Sequence, residues 1–176
     1  LTWSRGAWLG AIAAVLIYLL LSRTRTRALL LLGAVPTALL LPALPRAVLL
    51  RFGSIGSLAD SSTRYRVYTW RGVLRMLRAH PFGIGTGESA FRAIYPAYAV
   101  SGTESVMHAH NLLLGTAVSL GLPGLLVLLL LLLLWGLWVL HGCARLSGRA
   151  RVTLLAPSAG LLGFLVMGCF DDPWYH

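Results

Sequence analysis

The chain has 176 residues, 57% of them hydrophobic and 11% charged, with a mean hydropathy of +0.78. A soluble domain of this size cannot bury that much apolar surface, so lipid must solvate part of it. The formal net charge is +10 and all 15 basic residues are arginine, but they are scattered between apolar runs rather than gathered on one soluble face. That distribution argues against a nucleic-acid partner and for phosphate-bearing membrane lipids.

Four apolar runs follow one another: 6–21; 28–45, interrupted by Pro36 and Pro42; 112–140, broken by "GLPG" at 121–124; and 152–170. With its flanks each reaches the roughly 20 residues that a membrane-spanning helix needs. The expected fold is therefore all-α and polytopic, with about four transmembrane helices, two within 1–45 and two within 112–170. A long loop over 46–111 and a short tail over 171–176 would then lie on the other face. The short connectors carry Arg23, Arg25 and Arg27, and Arg145, Arg149 and Arg151, without an acid. The excess of arginine in short loops marks that side as cytoplasmic and the long loop as extracytoplasmic. The chain opens without methionine and stops soon after an apolar run, so it is expected to be a piece of a larger membrane protein. Cys143 and Cys169 have no metal-ligand spacing and read as packing residues.

Within the long loop, "TRYRVYTWRGVLRMLRA" at 63–79 reads as a helix started by Ser62 or Thr63 and ended at His80-Pro81. On a helical wheel Arg64, Arg71, Arg75 and Arg78 fall within about 60° of one another, opposite Val67, Trp70, Val73, Leu74 and Leu77. This predicts an amphipathic surface helix with its arginine stripe toward headgroups and water. Arg66 falls inside the apolar sector instead. It either snorkels or bridges to Asp60 or Glu88, or it faces an anion in a cavity. Arg5, about one turn inside the first span, raises the same choice.

The stretch "HPFGIGTGESAF" at 80–91 has glycines at 83, 85 and 87. With no lysine following and the wrong spacing, it matches neither nucleotide-loop pattern and reads as a tight turn or close backbone approach. Tyr95 and Tyr98, in "AFRAIYPAYAV", are suited either to stacking on sugar rings or to anchoring at headgroup depth. His108, His110 and Asn111 then stand directly before the third run. Three readings of the histidines are open. They could be metal ligands, with only Glu104 and His80 nearby to complete a site. They could be interfacial side chains, or they could do acid–base work near neutral pH.

Three segments together are similar to one known group: "SRGAWLG" at 4–10, "RVYTWRGVLRMLRAHPFGIGTGESAFRAIYP" at 66–96, and "HAHNLLLGTAVSLGLPGLL" at 108–126. The chain resembles the O-antigen ligase and O-antigen polymerase superfamily of bacterial membrane glycosyltransferases, and its terminal "FDDPWYH" resembles the segment after the next span in some members. The resemblance implies transfer of a glycan from a polyprenyl-diphosphate carrier to an acceptor hydroxyl, with neither cofactor nor metal, on the outer face of the bacterial cytoplasmic membrane. It implies that His110 is the general base and that Arg5 and Arg66 hold the diphosphate. His108, Asn111, Tyr95 and Tyr98 would be sugar or loop contacts. The implied partners are the lipid-linked donor, a glycan, lipid or protein acceptor, and membrane lipids. One departure is Ser119 in "VSLG", where many members have an acid.

Two other classes of protein fit the sequence less well. A transporter or flippase-like protein could use the same arginines to bind an anionic lipid-linked substrate, but it would need ionisable groups along its spans. The second, third and fourth runs hold no charged residue. A plain membrane anchor would leave Arg66 and His110 without a purpose.

Overall fold

The computed structural model describes residues 5–22 and 60–170 and the isolated positions 28, 32, 33, 46, 50 and 53. Among these residues every regular element is helical and no strand occurs: α1 (Arg5–Leu21), α2 (Ser61–Ala79), α3 (Glu88–Ile94) continued by a 3-10 turn (Tyr95–Ala97), α4 (Leu112–Arg145) and α5 (Gly148–Gly168). Two helices, α4 and α5, are long and apolar enough to cross a membrane, and α1 is a shorter apolar helix. The all-α membrane class stands. Of the four expected spans, two are present at full length; apart from positions 28, 32 and 33 the second run, at 28–45, lies outside the described residues, as does the tail at 171–176.

The chain divides into two compact units, Leu1–Ile55 with Gly136–Phe164, and Gly56–Trp135 with Leu165–His176. In the first, α1 and α5 meet through small residues. A Cβ placed on Gly163 would come within 2.5 Å of the Gly10 carbonyl oxygen and 2.8 Å of the Ala14 Cβ. Without a hydrophobic driving force inside lipid, such close backbone approach is what holds helices together. Arg151 is buried. Its guanidinium donates to the carbonyls of Leu21 and Cys143, which lie in the last turns of α1 and α4, where carbonyls lack partners within their own helix.

The second unit has a small core built from Val73 and Met76 of α2, Phe91 and Tyr95 around α3, Val106 and Ala109 of the following loop, and Val118 of α4. The cap of α2 lies two or three residues upstream of the expected one: the Asp60 carboxylate accepts from the Thr63 N–H at 2.9 Å and from its hydroxyl at 3.1 Å. The C-terminal end falls at His80, as the proline after it requires. The buried face also differs from the wheel. It is Thr69, Gly72, Val73 and Met76, whereas Leu74 is exposed and Val67, Trp70 and Leu77 are only partly covered. The reason is local. A Cβ on Gly72 would lie 2.8 Å from the Tyr95 hydroxyl oxygen, so the helix packs through its smallest residue against the largest core side chain. Hydrophobicity alone does not reveal such a contact. Arg64, Arg71, Arg75 and Arg78 are all exposed.

The third apolar run is broken where "GLPG" placed the break. Gly121, at φ 76° and ψ 179°, interrupts α4, and the freed backbone groups are paired by the glycine-rich turn after α2. Ile84 N–H donates to the Val118 carbonyl at 2.9 Å, Gly85 N–H to the Ser119 carbonyl at 3.1 Å, and Leu122 N–H to the Pro81 carbonyl at 2.8 Å. A buried backbone group left unpaired is costly, and most of all beside lipid. The two strands of contact are so close that a Cβ on Gly83 would sit 2.6 Å from the Gly121 nitrogen, and one on Gly121 would sit 2.4 Å from the Phe82 carbonyl carbon. The glycines of "HPFGIG" and "GLPG" are therefore halves of one lock.

Candidate active site

Immediately before α4 the chain makes its one positive-φ turn at a non-glycine residue among those described: His110, at φ 49°. Histidine is among the few side chains that visit this left-handed region. The turn swings the imidazole against its neighbours. Its ring centre lies 4.1 Å from that of His108 and 6.3 Å from that of Tyr65, with the tyrosine approached edge-on. His108 is buried and His110 is half-buried. Asn111 then caps α4: its side-chain oxygen accepts from the Leu114 N–H at 2.9 Å. Its amide nitrogen donates to the Cys169 carbonyl at 2.7 Å, near the end of α5. The histidine turn is thus braced on both sides, by a helix cap and by a bond to a residue 58 positions away.

Arg66 follows Tyr65 on α2. It is half-buried and its Nη1 donates to the Ser62 hydroxyl one turn back at 3.3 Å. Glu88, one of the two acids expected as its partner, pairs with Arg92 at 3.0 Å. Arg5 opens α1 in the other unit, and its side chain lies outside the described residues. The structure thus brings His110, His108, Asn111 and Tyr65 together.

The two tyrosines read as sugar or headgroup contacts both make contacts inside the protein. Tyr95 is fully buried. Its ring is stacked on Phe91 with centres 4.8 Å apart, and its hydroxyl lies 3.0 Å from the Thr103 hydroxyl. It is a core residue, and burial pushes its phenol above the ordinary range. Tyr98 is half-buried and its hydroxyl lies 3.1 Å from Nε2 of His80, tying the end of α2 to the turn after α3. Among the described residues no three His, Cys, Asp or Glu side chains converge.

Tyr65 was missed from sequence. It stands on a helix beside an arginine stripe, and only its spacing one position before Arg66 hinted at a role. The pairing of His80 with Tyr98 was missed too, because nothing in a linear pattern joins residues 18 positions apart.

A search among curated proteins finds no match. A family profile described as O-antigen ligase matches residues 1–129, a stretch that includes α1, α2, the glycine lock and the histidine turn. On that match, and with apolar helices long enough to span a bilayer, the chain belongs to the O-antigen ligase family, bacterial membrane proteins with ligase- or polymerase-like glycosyltransferase activity.

Proposed function

We propose that the chain transfers a glycan from a polyprenyl-diphosphate carrier to an acceptor hydroxyl at the extracytoplasmic face of the cytoplasmic membrane. His110 is the general base. It takes the proton of the acceptor hydroxyl as that oxygen attacks the anomeric carbon. The bond from that carbon to the diphosphate oxygen breaks, and the diphosphate leaves with the electron pair. A single displacement of this kind inverts the anomeric centre. Arg66 and Arg5 hold the diphosphate, because planar guanidinium groups match phosphate oxygens and stabilise the charge that grows on departure. Carrier and acceptor are both membrane-borne in this scheme, and the arginine stripe of α2 faces the headgroup layer.

One observation carries the reading: His110 is held in a left-handed turn against Tyr65 and His108, a cost that plain surface histidines do not bear. The test uses the full-length protein with lipid-linked glycan in membranes. Asparagine tolerates the left-handed region but is no base, so His110→Asn should keep the fold and lower transfer by about 10²-fold or more. Arg66→Ala and Arg5→Ala should also abolish transfer, whereas Arg71→Ala and Arg75→Ala, at exposed positions, should be mild. Wild-type transfer rates in His110→Asn would overturn the assignment, and equal losses in all four arginine variants would overturn the division among them.

A further inference from the structure

Beside His108 lies a cavity of about 370 Å³, at the small end of ligand-binding pockets. It is a half-open cleft within one compact unit, between the start of α3 and the first turns of α4. Its polar lining is the hydroxyls of Thr86, Thr116 and Ser119 and the imidazole of His108; Phe91 supplies an aromatic wall. Among the described residues no charged side chain lines it.

That lining selects a ligand class. A diphosphate needs cations to balance its charge, and no charged side chain lines the cavity. An isoprenoid tail needs an unbroken apolar wall, and here hydroxyls interrupt it. A sugar ring has hydroxyls that both donate and accept around its edge and an apolar C–H face. Thr116 already donates its own hydroxyl hydrogen to the Leu112 carbonyl at 2.8 Å, so toward the cavity it acts as an acceptor. Phe91, stacked on Tyr95, also lines the cavity, and an aromatic ring is a surface that C–H groups pack against. His108 connects the two places: it lines the cavity, and its ring centre is 4.1 Å from that of His110.

We propose that this cavity seats one neutral sugar ring, placing it one imidazole away from the base. The proposal rests on the transfer reading for the role of that ring, which belongs either to the acceptor or to the carrier-linked glycan. The cavity itself is testable without turnover. Purified full-length protein in lipid nanodiscs is titrated with glucose, galactose and N-acetylglucosamine by saturation-transfer NMR, and separately with inorganic pyrophosphate by phosphorus NMR line broadening. At least one sugar should give a saturable signal. Thr116→Val keeps the shape but removes the acceptor, and Ser119→Leu fills the space; each should weaken that signal by about five-fold or more, the equivalent of one lost hydrogen bond. Pyrophosphate binding should stay unchanged, and thermal midpoints report whether each variant is folded.

Sugar binding that is absent, or that is equal in wild type and both variants, overturns the proposal, as does loss of pyrophosphate binding instead. In the transfer assay the same variants should raise KM for one substrate only, acceptor or donor, and which one identifies the source of the ring. If the wild type binds sugar through these residues yet transfers nothing, the cavity stands and the transfer reading falls.

Discussion

The lock between the glycine-rich turn and the broken helix can be tested at Gly121. Alanine there meets two penalties. The backbone, at φ 76° and ψ 179°, lies in a region open essentially to glycine alone, which costs a side-chain-bearing residue about 1–3 kcal/mol. The new methyl would also lie 2.4 Å from the Phe82 carbonyl carbon and 2.6 Å from its Cα. Both are backbone atoms that cannot move without separating the turn from α4. Separation endangers the three cross-bonds at 118, 119 and 122, each contributing about 0.5–1.5 kcal/mol. Gly121→Ala should therefore destabilise the second unit by about 3 kcal/mol or more. Gly136 is the control: it lies within α4 and a Cβ there meets nothing within 4 Å, so Gly136→Ala should be neutral or stabilise by up to about 1 kcal/mol. Thermal or denaturant unfolding of the full-length protein in nanodiscs, read by near-ultraviolet circular dichroism, separates the two. If Gly121→Ala and Gly136→Ala unfold together, the glycine lock does not exist.

Two further outcomes follow from buried polar groups. Arg151→Met should lower stability by about 3 kcal/mol, because it strips the Leu21 and Cys143 carbonyls of a charged donor; Arg151→Lys should not restore it, since one ammonium cannot reproduce a two-armed fork. An unchanged melting temperature in Arg151→Met would refute the role. The raised Tyr95 phenol stays neutral in the folded state at pH values where the unfolded chain ionises, near 10. Its contribution to stability is thus complete below about pH 10 and is lost as pH rises through the folded value. Tyr95→Phe should flatten the fall in melting temperature between about pH 9 and 11, and an identical fall in the variant would show that another group is responsible.

Much of this was legible in the sequence where a single physical rule dominated. Lipid-length apolar runs announced α4 and α5, the His80-Pro81 pair ended α2, and Gly121 broke the third run. Legibility failed where partners are distant. The buried face of α2 is set by Tyr95 filling the space above Gly72, so a wheel drawn from hydrophobicity alone turned the helix toward Trp70 and Leu74. Tyr95 looked like a surface aromatic because a tyrosine's amphipathic ring suits interface and core alike, and only its contact with Thr103 distinguishes them. Arg151 belonged by composition to a positively charged connector, and only the carbonyls of two other helices reveal it as buried structure. At the candidate site, the histidines and Asn111 stood out by chemistry, but Tyr65 became visible only once α2 and the histidine turn were folded together.

The break at Gly121 also sets a depth scale. Residues 122–145, at about 1.5 Å per residue, rise roughly 36 Å, enough to traverse a hydrocarbon slab of about 30 Å unaided. The stretch from Leu112 to Leu120 is thereby released from spanning duty and can sit among glycerol and phosphate groups, where water still reaches. Whatever docks against Thr116 and Ser119 need never be dragged through oil, and a bulky hydrophilic polymer could approach from the aqueous side while its lipid tail stays below.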